Sequence, residues 1–109
     1  MVPHMFERDL DNPLIEAHSL SWPANAVFNA GAVRMPDGDV LLLLRVEDRR
    51  GLSSLHVARS ADGRTNWRIE PTPLLAPEPE ALSGQWGYED PRVVWVPELE
   101  RYVITCTAF

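Results

Sequence analysis

Two acids stand side by side in GYEDPR (residues 87–92), and a proline and an arginine follow at once. A carboxyl group can donate a proton to a leaving oxygen when its surroundings keep it protonated, so this pair is the first place to look for acid catalysis. Adjacent carboxylates repel each other, and Pro91 disfavours helical geometry at Asp90. The expected local structure is extended, with Glu89 and Asp90 pointing to opposite sides. One can then face a ligand while scaffold groups hold the other. The alternative is a plain strand start with both charges solvated.

Other polar residues sit where chemistry is possible. Arg45 directly follows the apolar run VLLLL, so its charge must emerge at a strand end or meet a partner. A ligand contact and a salt bridge to Glu47 or Asp48 are both open. Asn29 carries an amide that donates and accepts, which suits sugar hydroxyls and equally suits a turn. Arg50 lies in RRG, which also reads as a charged hairpin turn. Trp86 and Tyr88 flank the acidic motif, and aromatic faces stack on sugar rings; Trp22, Trp67 and Trp95 read as packing between strands. His4 and His18 fall in the N-terminal arm and His56 on a strand. No His, Cys, Asp or Glu spacing resembles a zinc site, and no glycine-rich phosphate loop occurs. No metal and no organic cofactor are therefore expected. Cys106, the single cysteine, lies in an apolar run and reads as packing.

The elements that position these residues are strands. Residues 1–26, rich in proline and without a period, read as a docked extended arm. Residues 27–70 contain four short strands: VFNAGAVRM, VLLLLRVED, SLHVARS and NWRIE. The turns PDGD, RRG and ADGRT join them. Five consecutive apolar residues, Val40 to Leu44, fit a strand buried on both faces. Ser60, Asp62 and Gly63 read as turn builders, with Asp62 bonding nearby backbone N–H groups. Residues 71–88 form a long loop, a length that usually carries function. From 89 to 109 the β pattern restarts in PRVVWVP and RYVITCTAF, with Tyr102, Ile104, Cys106 and Ala108 on one face. Antiparallel strands in this rhythm match one propeller blade and the start of a second. The expected chain is thus all-β and the first part of a longer protein, a complete small β-sandwich being the alternative.

Composition narrows the classes further. The chain has 109 residues, of which 45% are apolar, and a formal net charge of −6. No basic stripe accompanies an aromatic cluster, so a nucleic-acid partner is not expected. Anionic membranes should repel the chain, and no run approaches the roughly 20 apolar residues of a span. The N-terminus lacks the pattern of a secretory signal, which makes a cytoplasmic location the default.

FNAG (28–31), LLLLR (41–45), HVARSADG (56–63) and WGYEDPR (86–92), in that order, resemble glycoside hydrolase family 130. That family contains β-mannoside phosphorylases and related β-mannosidases, built as five-bladed β-propellers. The resemblance runs from about Asn12 to Phe109, roughly the first third of a family member. It departs at Ala30, where the family usually has proline. It implies that this chain supplies about one and a half blades.

The same resemblance implies roles. Asp90 matches the family's general acid, whose protonation a nearby Glu89 carboxylate and desolvation would favour. Arg92 would oppose this if close, so it is expected to pair with Glu89, both serving as supports. Asn29, Arg45, Arg50, Trp86 and Tyr88 become sugar-binding candidates. Conventional glycosidases need two carboxylates about 5–9.5 Å apart across the scissile bond, which adjacent residues on one extended segment cannot supply. A phosphorylase needs one, because inorganic phosphate is the nucleophile. The implied activity is inverting phosphorolysis of a mannose-containing oligosaccharide to α-mannose 1-phosphate. A β-mannosidase of the same family and a non-catalytic carbohydrate-binding domain are the alternatives. The phosphate-binding residues lie mainly beyond the matched part, so the isolated 109 residues are expected to be inert. The oligomeric state is left open, a homo-oligomer included.

Overall fold

Short-range chemistry closes each hairpin. A computed structural model of the chain describes Pro3 and residues 5–109; His4 lies outside the described residues. In PDGD, the Met35 N–H bonds the Asp39 carbonyl at 2.7 Å and the Asp37 carboxylate accepts from the Asp39 N–H. In the next turn the Asp48 carboxylate accepts from the backbone of Arg50 and Leu52 and from the Arg50 guanidinium at 2.7 Å. Burial pushes the Asp48 carboxyl up, but these bonds outweigh it and hold the group below its ordinary range. In the third turn Asp62 accepts from the Arg64 and Thr65 N–H groups and from the Thr65 hydroxyl, which holds its carboxyl far below the usual range. Arg59, near the end of the third strand, reaches the first turn at Asp37, 2.7 Å away, and Asp39, 3.0 Å away.

These turns connect β1 (Ala26–Arg34), β2 (Val40–Glu47), β3 (Ser53–Ser60) and the two-residue β4 (Arg68–Ile69). They form one antiparallel sheet in the order β1-β2-β3-β4. A second sheet pairs β5 (Tyr88–Val96) with β6 (Arg101–Ala108). The architecture is all-β; the only helical turns among the described residues are two 3-10 turns of three residues, Ala17–Ser19 and Pro97–Leu99. No helix is long and apolar enough to cross a membrane.

The apolar run in β2 is covered on both faces because each face meets a different layer. Leu44 and Val46 pack with Ala58 under the arm, where Ile15, Leu20, Trp22 and Ala24 close over them. Leu41 and Leu43 face the other way. With Val57, Val93, Tyr102 and Ile104 they surround an apolar cavity of about 200 Å³ between the two sheets. Trp95 leans on Tyr102 with ring centroids 5.0 Å apart. Full burial of a leucine side chain contributes about 1.5–3 kcal/mol, so the inter-sheet layer is a main attachment of β5.

The long loop is stitched to the outer edge of β3. Leu75 forms a bridge to Leu55, and Gly87 forms a parallel bridge to Ser53. The part of the β3 edge that two-residue β4 leaves unpaired is thus covered by backbone.

His56 is 4% exposed and stacks on Trp22 at 4.7 Å, its Nδ1 against the Glu70 carbonyl at 2.9 Å. Burial pushes its pKa below the ordinary 6.5, and the carbonyl offsets this only in part. Below that pH the unfolded chain binds a proton that the folded chain refuses, so stability rises with pH across this window. The contribution is complete above about 6.5 and is lost as the pH falls toward the folded value. Thermal melts between pH 8 and 5 should show a drop in Tm that His56→Gln flattens. An unchanged slope in the variant would assign the drop to other groups.

Candidate functional site

Two β-bulges face each other across the sheets. In β1 the register slips between Phe28 and Ala30, which leaves Asn29 as the extra residue. In β5 it slips between Glu89 and Arg92: Glu89 pairs with Thr107 and Arg92 with Thr105, so Asp90 and Pro91 together oppose one residue. Bulges re-aim side chains and concentrate beside functional sites. Here they aim at one another. Asn29 Nδ2 donates to Asp90 Oδ1 at 3.0 Å.

Asp90 is not extended. Its φ of 49° is left-handed, which corrects the expectation drawn from Pro91. The bulge must fit two residues against one, and a positive φ at its first position does so. Aspartate tolerates that geometry better than most residues, at some cost. Asp90→Gly should therefore unfold at no lower urea concentration than the parent, whereas Asp90→Val should cost about 1–2 kcal/mol. Equal losses from both would show that the conformation carries no strain.

Glu89 is held, but not by Arg92. Its Oε1 accepts from Arg45 Nη2 at 2.7 Å. Arg45 also donates from Nε to Ser53 Oγ at 3.0 Å, and its guanidinium carbon lies 4.6 Å above the Phe28 ring. The reason is periodicity: Arg45 continues the Leu41–Leu43 face of β2, which looks at β5, while Glu47 bonds Asn25 and Asp48 bonds Arg50. The side chains of the Arg45–Glu89 pair are 17% and 30% exposed, so solvent screens it less than a surface pair. Arg92 is exposed and forms no ion pair among the described residues. It lines an open cleft of about 370 Å³ with Asn29, Gly31 and Pro91. Glu89 is thus ion-paired, and Asp90 is exposed.

Two glycines allow the sheets to approach. A Cβ on Gly31 would stand 2.9 Å from the Pro91 carbonyl oxygen, and one on Gly87 would stand 2.7 Å from the Ser53 oxygen. FNAG thus contacts DPR twice, through Asn29 and through Gly31.

The remaining candidates lie apart from this cluster. Arg50 is spent on Asp48 in its own turn and bonds none of Asn29, Arg45, Glu89 or Asp90. Trp86 is 70% exposed, with its backbone bonded to Phe109. Tyr88 is half-buried, its hydroxyl packed against Gly84. No group of three or more His, Cys, Asp or Glu among the described residues could hold a metal ion. Sequence reasoning missed Phe28 and Ser53. Phe28 stood next to Asn29 in a motif already singled out. Ser53 carried no local signal, because its role depends on a diagonal across the β2–β3 hairpin.

Comparison with models of known protein families and with curated proteins finds no match.

Proposed function

We propose that this chain forms the acid side of a β-mannoside phosphorylase site, within a five-bladed β-propeller of which it contributes about one and a half blades. Asp90 is the general acid. It gives its proton to the glycosidic oxygen as the bond to the anomeric carbon breaks and the electron pair leaves with that oxygen. Inorganic phosphate attacks the same carbon from the opposite face, and the product is α-mannose 1-phosphate. Arg45 and Asn29 bind the mannosyl unit. Bound sugar supplies the desolvation that exposed Asp90 lacks, because excluding water disfavours the ionised carboxylate.

One observation supports this reading above others. Asn29 and Asp90, from two of the four motifs that carry the resemblance, occupy opposed bulges and share a hydrogen bond of 3.0 Å. Glycine would meet the positive φ of this bulge with less strain, so an aspartate there supports a use for its carboxylate.

The deciding experiment uses the complete propeller proposed here and a β-linked mannobiose. Mannose 1-phosphate should appear only when phosphate is present. Free mannose released at the same rate without phosphate would make the protein a hydrolase. Sugar binding without turnover would leave a carbohydrate-binding domain.

A further inference from the structure

We propose that Ser53 is the positioning residue of this site: its buried hydroxyl fixes the guanidinium that holds Glu89, and its backbone seats the glycine from which GYEDPR starts. The catalytic consequence rests on the function proposed above; the positioning itself does not.

Ser53 is 2% exposed and opens β3 on the face shared by Leu55, Val57 and Arg45. A hydroxyl on such an apolar face needs a partner. That partner is Arg45 Nε, at 3.0 Å. A guanidinium is a rigid plane, so three contacts define its pose. Ser53 holds one edge, Glu89 Oε1 takes another at 2.7 Å, and the Phe28 ring supports the face at 4.6 Å. Without the serine, Arg45 would swivel about the Glu89 contact. A single-point contact leaves rotation about it free.

The backbone of Ser53 acts on the same segment by a second route. It bridges Gly87 in parallel register, so closely that a Cβ on Gly87 would meet the Ser53 nitrogen at 2.8 Å and oxygen at 2.7 Å. One residue of the first sheet therefore sets both where β5 begins and where Glu89 points. Asp90 follows Glu89 directly, at the bulge. Ser53 touches neither Asp90 nor Asn29 by any hydrogen bond, so its influence on them passes through Arg45–Glu89.

Nuclear magnetic resonance on the 109-residue chain tests this without any substrate. Two reporters are read: the Arg45 Nε–H, bonded to Ser53, and the Asn29 side-chain amide, bonded to Asp90. Ser53→Ala should accelerate solvent exchange of the Arg45 Nε–H about ten-fold or more, the loss of a hydrogen bond to a charged group. The Asn29 amide resonances should move toward free-amide positions in the same variant, although residue 53 is not their neighbour. Leu43 and Leu55 methyl shifts report that the fold persists. Arg45→Lys keeps the charge but cannot span both partners. It should move the Asn29 amide in the same way, and it serves if Ser53→Ala fails to fold. An Asn29 amide that stays in place while the Arg45 Nε–H exchanges freely overturns the proposal. Absence of phosphorolysis, by contrast, would overturn only the functional reading.

Discussion

On the function proposed above, Asp90→Asn should lower turnover of the proposed propeller by about 10²–10⁴-fold while leaving sugar affinity nearly unchanged, the span attributed to a lost general acid. The substitution is close to silent in every other respect. Asparagine matches aspartate in size and tolerates the left-handed conformation at residue 90. Its amide oxygen can still accept from Asn29 Nδ2. On the proposed mechanism, only the proton donor is removed. The loss should shrink for an aryl mannoside whose leaving group departs without protonation, which a structural defect would not produce. A variant with equal losses on both substrates would assign Asp90 to the scaffold.

Gly87→Ala should destabilise the chain by about 3 kcal/mol or more, the largest stability loss expected of a single methyl here. Two costs combine. The backbone at φ 118° excludes ordinary side chains, at about 1–3 kcal/mol. The added Cβ also falls 2.7 Å from the Ser53 oxygen and 2.8 Å from its nitrogen, both backbone atoms within a strand. Neither can rotate away, so the sheet itself must shift, as in overpacked cores that lose about 1–3 kcal/mol. Urea unfolding measures the difference. A midpoint near that of the parent would show that the Gly87–Ser53 bridge is dispensable.

The first sheet was legible because its information is local. PDGD and ADGRT each contain the acid that caps the turn and the glycine of the turn, Asp48 stands directly before RRG, and the run from Val40 to Leu44 announces two covered faces. The second sheet was legible as two strands for the same reason. What local reasoning could not supply was partnership across layers. Arg45 had acids two and three residues away, at Glu47 and Asp48, yet it bonds Glu89, 44 residues on. Arg92 sat three residues from Glu89 and does not bond it: Arg45 takes Glu89, while Arg92 is exposed beside the open cleft. Asp90 was expected to be extended from the rule for residues before proline. A proline inside a strand is also a sign of a bulge, and that competing rule prevailed. Of the site candidates, Asn29, Arg45, Glu89 and Asp90 converge, whereas Arg50 stays in its own turn.

The cluster's members are distant along the chain, and that separation sets an order of events. The Asn29–Asp90 bond closes a span of 61 residues, whereas the Arg45–Ser53 contact closes one of eight. Short loops close at lower entropic cost, so the three-strand meander can assemble from its own turns before the last two strands arrive. The acid pair reaches its place only when that late docking is complete. Until then Arg45 has Ser53 and Phe28 but not Glu89, and the cluster is complete only when the last strands are in place.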